Sequence, residues 1–351
     1  MKIHEMNRLI APLLVLASAS LAPPIAAGRP RRRRPASHSL LRVRNNSPAA
    51  VNNVLTQYAQ GLVQDQSANE LASFVSPWVV TGVAQGQYKK YDDKQQFSVV
   101  ETRRPLGVGR NEITFDATDP PFLCLTHGLQ IGLDDYELEQ AGLNASNAFP
   151  IKQAKVNQLV NTAIRSREKK VWDAVKGAVT ATGGLGGWSS DSVDPIDQID
   201  AQIEAIWSAT GKMPNRIAMG LSAWVVIRKH AKVKSRKSGV NSTGLALGEF
   251  ASMLLNPAIE VRIGTIPYDT APRGTAKSTA NVIGGEVFVF YAQDNPDTMD
   301  ASFCKTFSPT GNGVSAVKEF RHEDIITKMA VDWTETVIVT SPICGNRITL
   351  S

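Results

Sequence analysis

The sequence predicts a two-lobed α+β chain, and three patterns carry that expectation. Ile199, Ile203, Ile206 and Trp207 recur at helical spacing, followed by a Gly211-Lys212-Met213-Pro214-Asn215 connection, an apolar strand from Arg216 to Gly220 and a second helix with Trp224, Val225 and Ile227. Beyond Pro150, a stripe of Val156, Leu159, Val160, Ala163, Ile164, Val171 and Val175 marks a helix of about 27 residues, roughly 40 Å long. Phe122 to Leu133 alternates, with Leu123, Leu125, His127, Leu129, Ile131 and Leu133 on one side, as a half-buried strand does. The helix stripe needs a sheet to cover it. That strand, together with one carrying Val331, Trp333, Val337 and Val339, supplies the cover.

At 351 residues, 42% hydrophobic and 20% charged, the chain is long enough to bury a core, and its balance excludes wholesale disorder. The net charge of +6 is unevenly placed. Residues 1–46 hold nine of the 38 Lys/Arg and a single acid, Glu5, a net of +8, which leaves 29 bases against 31 acids in the rest. Basic character therefore belongs to the N-terminal extension and not to the folded body. Within it, Arg31, Arg32, Arg33 and Arg34 suit non-specific contact with nucleic acid through counterion release, contact with a scaffold, or a solvated tail. No aromatic interleaves them, so base stacking is not indicated.

Lys2 and Arg8 precede an apolar run from Leu9 to Ala22, and Ile25-Ala26-Ala27 has the form of a cleavage site, so a secretory signal is a rival reading. Against it, Arg29 and Arg31 to Arg34 follow almost at once, Pro12, Ser18, Ser20, Pro23 and Pro24 break the run, and it is too short to span a bilayer. A Pro- and Arg-rich extension, or an upstream start codon, is the favoured expectation. The three cysteines, Cys124, Cys304 and Cys344, lie too far apart for a disulfide framework or a zinc site and read as reduced, mostly buried thiols.

Along the body, residues 51–84 scatter Val54, Leu55, Tyr58, Leu62, Leu71 and Phe74 without a dense cluster, which predicts an arm lying on a neighbour. Residues 85–117 are charged, with Pro105, Gly107 and Gly109 between strand-like arms at Gln95 to Thr102 and Glu112 to Phe115. A long hairpin of this kind has little core of its own and needs a partner surface. Gly183 to Gly187 reads as a flexible connection, and Asp194-Pro195 opens the second lobe. There a helix from Gly244 to Leu255 and strands Glu260 to Ile266 and Glu286 to Tyr291 are expected, the last apolar on both faces as a central buried strand is. From Ala316 the chain returns to the first lobe.

Catalytic patterns are sought without success. Gly211-Lys212 and Gly183 to Gly187 lack the form of a phosphate-binding loop. Gly220-Leu221-Ser222-Ala223-Trp224 lacks the second glycine of a nucleophile elbow, and Ser222 reads as a helix N-cap. His4, His38, His127, His230 and His322 show no ligand spacing, and His127 reads as a core histidine. Asp134, Asp135, Glu137 and Glu139 do not converge and suit a solvated face or an inter-subunit charge patch. No catalytic, metal or cofactor residues are expected, and no enzyme.

The order of segments resembles the major capsid proteins of tailed double-stranded DNA bacteriophages with the Hong Kong 97-type shell fold. The resembling residues are Tyr88-Lys89-Lys90-Tyr91-Asp92, Asp119-Pro120-Pro121-Phe122-Leu123-Cys124-Leu125-Thr126-His127-Gly128-Leu129, the helix after Pro150, Gly211 to Gly220 with its following helix, Val317-Lys318-Glu319-Phe320-Arg321 and Asp332-Trp333-Thr334-Glu335. The similarity runs roughly from Asn52 to Ser351 and rests on pattern and order. It implies an N-terminal extension at 1–50, an N-terminal arm at 51–84 and an extended β-hairpin loop at 85–117. A peripheral domain at 118–193 follows, with a spine helix on a long β-sheet, then an axial domain at 194–316 and a return to the peripheral domain at 317–351.

The resemblance implies a structural subunit, not an enzyme, that forms pentamers and hexamers of an icosahedral head around double-stranded DNA. Its implied partners are itself, a scaffolding protein, a portal and non-specifically bound DNA, with no cofactor and no membrane, and assembly in the host cytoplasm. Implied inter-subunit contacts are Tyr88, Lys89, Lys90, Lys94, Arg103, Arg104 and Arg110 in the loop and Val54, Tyr58, Leu62, Phe74 and Trp78 in the arm, with Arg31 to Arg34 touching DNA or scaffold. No asparagine matches a cross-linking partner for Lys89, Lys90 or Lys94, and the short extension favours a separate scaffolding protein. Two alternatives stand beside this reading. One is an encapsulin-like cargo shell of the same fold. The other is an exported enzyme or binding protein with residues 1–27 as signal peptide, in which Asn45-Asn46-Ser47, Asn144-Ala145-Ser146 and Asn241-Ser242-Thr243 are sequons.

Overall fold

The computed structural model describes residues 49–67, 70–91, 97, 99–104, 106–110, 112, 117–144, 147–183, 185–236, 244–272, 274–311 and 316–350. In chain order these form β1 (Ala50–Val51), α1 (Asn53–Ser67), α2 (Ala72–Val75), β2 (Trp78–Val80), β3 (Gln85–Gln87), β4 (Lys90–Tyr91), β5 (Ala117–Thr118), β6 (Pro121–Leu123), β7 (Leu125–Asp134), α3 (Asp135–Gln140) and α4 (Phe149–Ala178). There follow α5 (Pro195–Thr210), β8 (Arg216–Gly220), α6 (Leu221–Lys229), α7 (Ala231–Arg236), α8 (Leu247–Ser252), β9 (Glu260–Gly264), β10 (Pro267–Asp269), β11 (Thr279–Asn281), β12 (Glu286–Phe290), β13 (Cys304–Ser308), β14 (Ala316–His322), β15 (Ile326–Val339) and β16 (Gly345–Thr349).

One sheet is organised by β15, whose length lets it pair on both sides: β7 along one side, β14 and then β13 along the other, with β1 beyond β14 and β2 parallel to β13. The second sheet runs β16-β12-β8-β9. The long helix α4 spans 30 residues and starts with proline in its first turn, where the missing N–H costs nothing. All seven stripe residues are buried. Val156, Leu159, Val160 and Ile164 meet Leu133, Val317, Met329 and Val331 of the first sheet. Val171, Trp172 and Val175 meet Phe288, Phe290 and Phe303. Strand β12 is buried at every position because its two faces serve different cores: Val287 and Val289 face Ile199, Ile203, Ile206 and Phe250, while Phe288 and Phe290 face the end of α4.

Several expectations are corrected. Residues 51–84 are not a coreless arm: α1 buries Leu55 and Ala59 against α4 and β14, and Leu71, Phe74 and Val75 enter the core around Trp172. The connection expected to be flexible is packed at Gly186, which has φ +91° and where a Cβ would lie 2.0 Å from the Thr349 carbonyl oxygen. Gly220, not Ser222, is the N-cap of α6, because a Cβ at that position would lie 1.7 Å from the Gly284 oxygen. The alternation from Phe122 to Leu133 is interrupted: Phe122 and Cys124 turn inward while Leu123 and Leu125 are exposed. Strand β16, expected in the first lobe, pairs with β12, and β13, expected in the second, lies in the first sheet.

A buried charge cluster ties the segment before β2 to α4. Arg167 pairs with Glu70, donates from Nε to Glu335 at 3.1 Å and from Nη1 to Ser73 at 3.1 Å, and lies 4.3 Å from the centre of the Trp78 ring. Next to it, Glu168 accepts from the backbone N–H of Leu71 and Ala72 and from Trp172 Nε1, at 3.2, 2.7 and 2.8 Å. Burial outweighs these donors and raises its pKa to about 7. Replacing Arg167 by Ala leaves Glu70 and Glu335 buried without a counter-charge and is expected to cost ~3–5 kcal/mol, read as a lowered urea midpoint. Because the folded pKa of Glu168 lies above its ordinary value of 4.5, its contribution is complete below about pH 4.5 and is lost as pH rises through about 7. Thermal melts at pH 5 and 7 are expected to differ less for Glu168→Gln than for the wild type, and an unchanged difference contradicts the assignment.

Candidate inter-subunit surfaces

The hairpin is anchored at its root. Gln85 to Gln87 pairs antiparallel with Pro121 to Leu123, and Lys90-Tyr91 with Ala117-Thr118. Above β13 the Phe307 ring stacks on Phe122 with centroids 4.6 Å apart and on Tyr88 at 5.7 Å. Both partners are buried, and burial raises the Tyr88 pKa. Cys124 Sγ donates to the Phe307 carbonyl at 3.4 Å. The Lys89 N–H donates to Thr298 O at 3.0 Å, in a loop held by the fully buried Lys305, whose ammonium donates to Asp297 O and Asp300 O and pairs with the Asp300 carboxylate at 2.8 Å. The exit angle of the hairpin is thus set by aromatic stacking below and hydrogen bonds at the side.

Beyond the root, the half-exposed Phe97 ring lies beside Gly211, and other described apolar residues of the hairpin are open to solvent. Val99 and Leu106 are fully exposed and Val108 is more than half exposed. Side chains of this kind forgo about 1.5–3 kcal/mol each relative to a buried state. Arg103, Arg104 and Arg110 stand exposed among them, with Arg104 Nε donating to Val108 O at 2.7 Å. The expected strand arms fall largely on residues outside the described ones, and residues 99–104 form no strand.

Among the other expected contact residues, Lys90 is exposed, whereas Lys89 pairs with Asp119 at 2.7 Å and Tyr88 belongs to the root. Lys94 and Arg31 to Arg34 lie outside the described residues. In the arm only Val54 is largely exposed. Phe74 meets Phe290 edge-on at 5.7 Å, Tyr58 and Leu62 pack against the core under α4, and Trp78 lies against Arg167. These four are satisfied within the chain.

Trp207, counted with the α5 core from sequence, is 52% exposed, with Met213 and Leu255 also exposed on the same lobe. The signal was present: residue 207 falls 100° around the helix from Ile206, at the margin of the Ile199, Ile203, Ile206 stripe. Three of the four acids near β7 have local partners, and Glu139 stands exposed. Asp134 caps α3 by accepting from the Tyr136 N–H, Glu137 pairs with Lys155 at 2.8 Å, and Arg321 hydrogen-bonds to Asp135 and holds its carboxyl below the usual range. His127 Nε2 lies 2.7 Å from Lys170 Nζ, and burial, then that ammonium, lowers its pKa, so near neutral pH the uncharged ring accepts. All three cysteines are free and buried, and burial pushes the Cys304 thiol up to about 12. Among the described residues no group of three His, Cys, Asp or Glu is placed to hold a metal ion.

No protein-family model matches the chain. It is 25% identical over 275 residues, 76% of its own length and 84% of the other, to the major capsid protein of Pseudomonas phage JBD67. It is 26% identical over 209 residues, 56% of its length and 64% of the other, to the major capsid protein of Burkholderia phage BcepMu. Among solved structures it is similar to a phage-related protein from Bordetella bronchiseptica, with a TM-score of 0.64 and 18% identity over 86% of this chain and 98% of that one. The fold is shared with that phage-related protein: a long helix on a long sheet, with a hairpin rooted beside it and a second lobe. In sequence the chain is thus similar to the major capsid proteins of these two phages.

Phe122→Ala removes one ring of the root stack. We expect a loss of about 3 kcal/mol and faster amide exchange at residues 85–91 and 117–123 than in α4. Unchanged protection there contradicts the role given to Phe307.

Proposed function

We propose that copies of this chain assemble into pentamers and hexamers of an icosahedral phage head enclosing double-stranded DNA. The observation that carries this reading is the hairpin: a rigid root bearing an outer segment whose Val99, Leu106 and Val108 find no cover in their own chain. A neighbouring copy supplies the cover, with Lys90, Lys94, Arg103, Arg104 and Arg110 as polar contacts around the apolar ones. Many modest contacts repeated by symmetry then replace one strong site. In this arrangement the α4 lobe is peripheral and the lobe containing α5, β8 and β12 surrounds the capsomer axis. Domain limits near 118–193, 194–316 and 317–351 are part of the proposal, with 304–308 and 345–349 exchanged between lobes. The chain performs no catalysis, and it works with a separate scaffolding protein and a portal during assembly in the host cytoplasm. Residues 31–34 contact DNA or scaffold.

The test is electron microscopy and sedimentation of the purified full-length protein. Capsomers or larger particles are expected from the wild type alone, with a scaffolding protein needed only to set their size. Leu106→Asp combined with Arg103→Glu is expected to leave circular dichroism and melting temperature unchanged while abolishing particles. A wild type that stays monomeric at high concentration overturns the reading, as does a double variant that assembles normally.

A further inference from the structure

The first sheet ends on one side in a long strand with a free edge. Among the described residues β7 pairs only with β15, so every second residue from Leu125 to Asp134 turns its N–H and C=O away from the sheet. Other sheet edges carry the usual safeguards against pairing: β1 and β2 are two and three residues long, β9 carries Glu260 and Arg262, and β16 carries Arg347. Strand β7 has little of this: from Leu125 to Leu133 it contains no charge and no proline, and its one charged residue, Asp134, stands at its end with the carboxylate capping α3. Leu125 is 54% exposed, Thr126, Gly128, Gln130 and Gly132 are exposed, and His127, Leu129 and Ile131 are only half-buried on α4.

The same stretch is symmetric about Leu129. Read in either direction it alternates apolar and small-or-polar residues. In an antiparallel pair of two copies Leu125 faces Leu133, His127 faces Ile131, Leu129 faces itself, Thr126 faces Gly132 and Gly128 faces Gln130. Every large apolar residue then lies on the helix side of the widened sheet, and no like charges stand opposite one another. A strand able to pair over this length must itself be extended, uncharged and free along one edge. Among the described residues β7 is the one strand that meets those terms.

We propose that β7 is a two-fold contact: two copies join edge to edge through antiparallel pairing centred on Leu129, making one continuous sheet across subunits with the two α4 helices on the same side. This rests on the chain assembling with itself, and it adds which surface meets which.

Leu129→Cys tests the register. Opposed residues have Cβ atoms about 4.5–5.5 Å apart, close to what a disulfide needs. Mild oxidation of assembled full-length protein is expected to give a covalent dimer on a non-reducing gel, while the wild type, whose cysteines are buried, gives none. Gln130→Lys and Gln130→Glu provide a second test, because the two copies of residue 130 are diagonal neighbours about 7–8 Å apart. Each variant alone is expected to lower particle yield about ten-fold, the equivalent of 1.4 kcal/mol per contact, and an equimolar mixture is expected to restore it. Particles of Leu129→Cys that form but show no dimer, or Gln130→Lys that assembles like the wild type, overturn the edge pairing and leave the shell role intact. A wild type that remains monomeric overturns both. A covalent Leu129→Cys dimer in a protein that forms no shells supports the pairing and removes the shell role alone.

Discussion

A 30-residue helix with one apolar face must be covered along its whole length, and both sheets take part in the cover. The first half of α4 lies on β7, β14 and β15, and the second half reaches the phenylalanines of β12, so that one helix fixes both lobes in a single body. The buried cluster around Arg167 sits where these two halves meet. Its two carboxylates come from the segment before α2 and from β15, and removing Arg167 would take from both the cation they share in a low-dielectric site. Apolar packing along α4 supplies affinity between elements, and the ion cluster fixes where along α4 the N-terminal segment rests.

That division explains which parts were legible in the sequence. The α4 stripe, the odd-numbered face of β7 and the continuous apolar run of β12 follow from local periodicity, because each is buried by a face whose spacing the chain itself displays. Helix α1 was misread since Leu55 and Ala59 are its only fully buried apolar residues, and their cover comes from α4 and β14, more than ninety residues away. The same holds for β16, whose sequence Gly-Asn-Arg-Ile-Thr gives no hint that β12 lies beside it. Gly220 defeated the capping rule because its role is to let the Gly284 backbone approach, a constraint invisible to local sequence.

The candidate surfaces were legible in a different way. Charge and glycine content marked residues 85–117 as a projection, yet they did not separate root from tip. Tyr88 and Lys89 look like surface residues in sequence and turn out to be structural, held by Phe307 and Asp119. The apolar tip residues Val99 and Leu106 were overlooked beside the more conspicuous arginines, although an exposed aliphatic side chain is the stronger sign of a surface that is covered in use.

The hairpin enters from β2 and leaves into β7, and both strands point along the ladders that hold them. Tension that reaches β2 or β7 along the strand axis acts on those ladders in shear, loading many backbone hydrogen bonds at once, and not by peeling them open one at a time. On the β7 side the resisting ladder is ten residues long, and on the β2 side the Phe307 stack adds an apolar brake. The projection is built as a tie rod, stiff where tension passes into the body.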